Sequence, residues 1–151
     1  MSASTIASIS VATVAGELPA PVVFGDWIMK TREYVVVRVT LNSGIEGWAF
    51  TLTRDGAVAE QIRKTLKNIY LGTNAEDVEK TYTTALRRSL ASHSAGLGLR
   101  ALSILDLATW DARAKQSNQS ISKLLGGTLD PMRWKSSRDK STSASWAIAS
   151  K

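Results

Sequence analysis

The chain has 151 residues, of which 44% are hydrophobic and 21% charged, with a formal net charge of +6 and no cysteine. That length suits one compact domain with an appendage and is too short for two domains of ordinary size. The apolar content excludes disorder over most of the chain, and the missing cysteine excludes disulfides, thiolate catalysis and Cys-based metal sites.

The opening stretch MSASTIASISVATVAG carries no Lys or Arg and is broken by serines, which makes it a poor signal peptide. No run approaches the roughly 20 apolar residues of a bilayer span. A cytoplasmic protein with no membrane partner is therefore expected. Within it, residues 4–15 alternate loosely and are rich in β-branched types, as a first strand would be. Residues 16–31, GELPAPVVFGDWIMKT, hold two prolines and two glycines among large apolar groups and read as a long functional loop. Residues 32–41, REYVVVRVTL, form the clearest strand. Val35, Val37, Val39 and Leu41 point to one face, and Tyr34, Val36, Arg38 and Thr40 to the other. Asn42, Ser43 and Gly44 supply a turn, and residues 45–52 return as a third strand.

From residue 56 the apolar period lengthens. Val58, Ile62, Leu66 and Ile69 mark a helix closed by Gly72. Thr73 and Glu76 have capping-box spacing ahead of a second stripe, Val78, Tyr82, Leu86 and Leu90, which predicts an antiparallel helix pair. After ASHSAGLG (91–98), a third helix over 99–116 has apolar residues around most of its circumference and should be covered on several sides. A last helical turn begins at Ser120 and ends at Gly126 and Gly127. Strands first and helices afterwards give an α+β fold: a three-stranded antiparallel β-meander followed by a helical bundle.

Several signals invite chemistry. GLGLRA (96–101) has dinucleotide-loop spacing, but a helix and a polar break precede it where a strand is required, so Gly96 and Gly98 read as hinge and packing residues. His93, the only histidine, has no catalytic companion at a recognisable spacing and reads as solvated surface. Asp106 and Asp111 lie about 140° apart around a helix and share no face; they are expected to satisfy backbone amides or to pair with Arg100 and Arg113. Trp48, Phe50 and Trp110 are expected in the core. Residues 1–130 hold 14 Lys and Arg against 12 Asp and Glu, whereas residues 131–151 hold 5 against 1. The basicity belongs to the end of the chain, and no specific nucleic-acid partner is expected.

The order of these elements, together with GLGLRALSILDLATWDARAK and LLGG, resembles the N-terminal capping domain of the mandelate racemase and muconate-lactonizing family of the enolase superfamily. The matching positions are Ala101, Asp106, Ala108, Trp110, Asp111, Lys115 and Leu124 to Gly127, with VVVRVTLNSGIEGWAF as a second match. Asn118, Gln119 and Ser120 depart from the family's Gly-Leu-Pro-like segment. The resemblance implies a cap over a (β/α) barrel whose carboxylates hold magnesium and whose lysine or histidine bases remove the proton α to a carboxylate. Such enzymes are racemases, acid-sugar dehydratases and cycloisomerases. It also implies that the loops at 16–31 and 51–56 shape substrate choice, with Trp27, Lys30, Thr51, Thr53 and Arg54 as candidates. An ordinary solvated loop is the other reading.

A barrel takes roughly 200 residues, and 24 follow Gly127. The expected organisation is thus a cap over 1–127 and a basic tail over 128–151. The tail is either the product of a shifted or truncated reading frame after Met132 or a natural disordered tail. No catalytic residue, metal ligand or cofactor is expected in this chain. Its expected partners are a missing C-terminal barrel, further copies joined through the cap, and a carboxylate substrate in the parent enzyme. A free-standing binding or oligomerisation module that reuses the cap fold is the alternative.

Overall fold

A computed structural model describes residues 2–53, 57–93 and 96–127, with backbone alone for residues 90–93. Three strands form one antiparallel sheet in the order β1-β2-β3: β1 (Ile6–Phe24), β2 (Trp27–Leu41) and β3 (Glu46–Leu52). The α+β expectation holds, but residues 16–31 are not a loop. They continue β1 and β2 as a two-stranded ribbon that turns at Gly25 and Asp26, where Gly25 takes φ 56°. Pro19 and Pro21 fall within the register shift between Glu17 and Val22, where their missing N–H groups interrupt no regular ladder. β3 ends opposite Tyr34, and β2 continues seven residues further to Trp27. The ribbon thus projects about 23 Å past its neighbour.

One face of the sheet is the core. Ile6, Ile9, Val35, Val37, Val39 and Leu41 are all buried on it, in the alternation the sequence predicts. Helices cover this face. α1 (Ala57–Gln61), a π-helical turn (Ile62–Leu66) and α2 (Lys67–Tyr70) make one continuous rod. Its buried residues Val58, Ile62, Leu66 and Tyr70 recur every four residues, wider than the 3.6 of a regular helix. The wider π turn brings all four to the core, so Tyr70 takes the inward place predicted for Ile69, which is half-buried.

Asn74, rather than Thr73, caps the next segment by accepting from the Glu76 amide, while Thr73 donates to the Tyr70 carbonyl. In α3 (Val78–His93) the inward positions are Val78, Thr81, Ala85 and Ser89, with Tyr82 and Leu86 half-buried beside them. The hydroxyl of Ser89 donates to the Ala85 carbonyl, which allows a polar residue on that face. The side chains of Leu90 and His93 lie outside the described residues.

α4 (Leu97–Gln116) is the central helix and packs against β3, β2 and α3. It is not covered all round, since Leu107 is 53% exposed and Trp110 half-buried. α5 (Ile121–Leu124) starts at Ser120, whose hydroxyl accepts from the Lys123 amide. No helix among the described residues is long and apolar enough to cross a membrane.

Gly47 sets how close β3 comes to α4. A Cβ there would collide with the Ala108 carbonyl oxygen and the Ala112 amide nitrogen, both immobile backbone atoms. Gly47 therefore faces the core, and by alternation Trp48 and Phe50 face outward, 47% and 71% exposed. The expected burial of both aromatics is thus reversed. Gly47→Ala should destabilise the chain by about 1–3 kcal/mol, read as a lower urea midpoint; an unchanged midpoint would contradict this packing.

Candidate functional site: the open end of the sheet

The two ends of the sheet differ. At the end where β1 begins, the backbone is tied to its surroundings: Ile6 N donates to Thr73 O at 2.9 Å, Ala75 N to Ser4 O at 2.9 Å, and Ser43 Oγ to Gln116 Oε1 at 2.8 Å. The opposite end carries the ribbon and the end of β3. There the apolar side chains Val23, Phe24, Trp27 and Ile28 are each more than half exposed, and the Phe24 and Trp27 rings stack at 5.6 Å. A two-stranded ribbon with such a surface is marginal in water without a further layer against it.

Beside the ribbon, between the end of β3 and the N-terminal half of α4, runs an open groove of about 520 Å³. Its walls are Phe50 and Thr51 on β3 and Arg100, Ser103, Ile104 and Leu107 on α4. Arg100, Ser103 and Leu107 share a helix face through their spacing of three and four. Arg100 has no ion-pair partner among the described residues, which corrects the expected pairing with Asp106 or Asp111. A cation without a partner, a hydroxyl at Thr51 and an apolar floor suit an anion with an apolar or hydroxylated body.

The sequence candidates separate along this end. Thr51 lines the groove, and Thr53 follows β3 with its amide donating to Glu33 O at 3.2 Å. Lys30 is exposed on the ribbon, while Trp27 sits at the ribbon's tip. Arg54 lies outside the described residues. The structure gathers Thr51 and Thr53, sets Lys30 and Trp27 progressively further out, and adds Arg100, Ser103 and Leu107. Only the shared face of the latter three could have revealed them in the sequence. Gly96 takes φ 69° just before α4, and Gly98 is buried in its first turn.

The two aspartates of α4 have separate roles. Asp111 Oδ2 accepts from Trp48 N at 2.8 Å and from Lys115 Nζ at 2.6 Å. Arg113 pairs with Glu76 at 3.2 Å and stacks over Trp110 at 4.9 Å from its ring centre. Asp106 lies between α3 and α4, where Oδ1 is buried without a hydrogen bond. Burial raises its pKa to about 6, against a smaller lowering by the Trp110 indole N–H. The Tyr70 hydroxyl, also buried without a partner, is pushed above its usual range by burial first and by Asp106 second. Among the described residues no three His, Asp or Glu side chains converge to hold a metal ion. The described side chains can grip and orient an anion; they make up no acid–base pair with a nucleophile.

Residues 7–126 match the family described as mandelate racemase / muconate lactonizing enzyme, N-terminal domain. The chain belongs to this family. Over 107 residues it is 31% identical to 3,6-anhydro-alpha-L-galactonate cycloisomerase of Streptomyces coelicolor, covering 69% of this chain and 29% of that enzyme. Over 101 residues it is 27% identical to L-talarate/galactarate dehydratase of Salmonella typhimurium, covering 66% of this chain and 25% of the relative. Among solved structures it is similar to a racemase of Streptomyces coelicolor with bound magnesium, with a TM-score of 0.70 and 26% identity over 74% of this chain and 32% of that one. The family member described here thus spans between a quarter and a third of the length of these relatives, as their N-terminal domain.

Asp106 gives the domain a distinct pH response. Its folded-state pKa lies above the ordinary 3.8, so the native chain holds a proton that the unfolded chain has released, and stability should fall as pH rises from about 4 to about 7. Asp106→Asn should flatten that slope. At pH 7 it should gain about 1–2 kcal/mol, the full electrostatic value being reduced by the residue's partial contact with water. Urea titrations at several pH values would show it, and an unaltered slope in the variant would contradict the assignment.

Proposed function

We propose that this domain is the substrate-specificity cap of an enzyme that removes the proton α to the carboxylate of an acid sugar, as a dehydratase, cycloisomerase or racemase. The observation that carries this reading is the open end of the sheet. One end of the fold is stitched shut, and the other presents the ribbon, Thr53 and an open groove lined by Thr51 and by Arg100, which has no ion-pair partner among the described residues. The relatives named above include a cycloisomerase and a dehydratase whose names specify sugar acids. Thr51 and Thr53 would hydrogen-bond substrate hydroxyls, and Lys30 and Arg54 would attract the carboxylate.

Magnesium, in this family, stabilises the negative charge that develops as the proton leaves. The described residues do not fit such a site. The metal and the bases would lie on a barrel domain corresponding to the remainder of the relatives' length. Residues 128–151 are taken as a tail outside the cap, and the 151-residue chain alone as inactive. Exposed Phe50 and Leu107 also favour a second reading, a binding or oligomerisation module.

Residues 1–127 should replace the corresponding cap of the Streptomyces coelicolor cycloisomerase and give magnesium-dependent turnover, with none from the 151-residue chain. In that chimera Thr53→Ala and Lys30→Ala should each raise KM several-fold. Turnover by the chain alone, or a chimera indifferent to both substitutions, would sink the proposal. A monodisperse chain paired with an inactive chimera would favour the module.

A further inference from the structure

β3 is an edge strand, and α4 fastens half of that edge. Residues of β3 turn their backbone groups alternately toward β2 and away from it. Thr53, just past the strand, donates inward to Glu33 O, so Glu46 and Trp48 turn outward. One outward group of each, the Trp48 amide and the Glu46 carbonyl, is taken by one pair of α4 side chains. Trp48 N donates to Asp111 Oδ2 at 2.8 Å, Lys115 Nζ donates to Glu46 O at 3.0 Å, and the two side chains join at 2.6 Å. Gly47, between the two anchored residues, lets the helix backbone come near enough for this contact.

The pair is not placed to add much stability. The side chains of Asp111 and Lys115 are 26% and 48% exposed, and exposed ion pairs typically contribute under about 1 kcal/mol. What they supply is location. Residues facing the helix from β3 are small, namely Gly47, Ala49 and Thr51, and offer no large side chain to lock the strand's height against α4. Two directional bonds at Glu46 and Trp48 do so. The strand then runs three residues from its anchor to Thr51 and five to Thr53.

We propose that Asp111 and Lys115 are positioning residues that fasten β3 to α4 and so fix where Thr51 and Thr53 meet a substrate. The part concerning substrate rests on the cap reading above; the fastening itself does not. Two measurements separate them. The first follows amide signals of the 151-residue chain by nitrogen-15 NMR. Asp111→Ala should speed exchange at Trp48, Ala49, Thr51 and Thr53 by roughly tenfold or more while leaving Val36 and Arg38, whose amides turn toward β1, protected. Asp111→Asn, which keeps an acceptor for the Trp48 amide, should restore most of the protection. Unchanged exchange at Trp48 in the alanine variant, or a uniform loss across the sheet, would overturn the proposal. The second uses the chimera, where Asp111→Ala should raise KM several-fold with kcat little changed, and Asp111→Asn should recover it. An unaltered KM would overturn the role toward substrate. An inactive chimera with the natural cap would instead count against the cap reading, and the amide measurement would still decide the fastening.

Discussion

The backbone contact between β3 and α4 at Gly47 is the constraint on which the rest of this fold depends. A strand carrying any side chain at that position would be held away from the Ala108 and Ala112 backbone. With glycine there, the helix lies directly on the sheet and its side chains reach the strand's edge, where Asp111 and Lys115 take up the outward backbone groups. The same contact sets the phase of β3. Gly47 goes inward, and Trp48 and Phe50 therefore go out, Trp48 beneath the Arg38 guanidinium and Phe50 edge-on to Tyr34.

Those consequences show what could be read from the sequence and what could not. The alternation in REYVVVRVTL carries its own phase, because four β-branched or leucine residues face charged and polar ones, and each falls where the pattern puts it. IEGWAF has no such contrast. Its two aromatics look like core residues by size, and only the helix pressed against Gly47 decides otherwise. Residues 16–31 misled for a related reason. Two prolines and two glycines signal a loop, yet a register shift absorbs the prolines and Gly25 makes the turn, so the chain stays extended. The four-residue spacing of Val58, Ile62 and Leu66 was visible, but helical periodicity continued it to Ile69, and the π turn that brings Tyr70 inward instead arises from packing.

At the candidate site the family pattern singled out residues 16–31 and 51–56, and of these the ribbon and Thr51 to Thr53 lie at the same unstitched end. Local reading offered Asp106 and Asp111 two roles, satisfying backbone amides or pairing with Arg100 and Arg113. In the fold Asp111 is drawn to a backbone amide and Lys115, Asp106 is buried toward α3, and Arg100 lines the groove with no ion-pair partner among the described residues. Within the helical layer the Tyr70 hydroxyl and Asp106 Oδ1 are buried without a hydrogen-bond partner among the described residues, a local cost remote from the open groove.

On the proposed cap reading the domain should be unevenly stable when alone, firm where β3 meets α4 and weak along the projecting ribbon. Native-state hydrogen exchange of the 151-residue chain measures this directly. The amides of Val35, Val37, Val39 and the middle of α4 should open only with global unfolding, whereas those of residues 16–31 should open at far lower free energy. Ribbon amides as protected as the core would mean that the ribbon already has its covering layer in the isolated chain, and the cap reading would be contradicted.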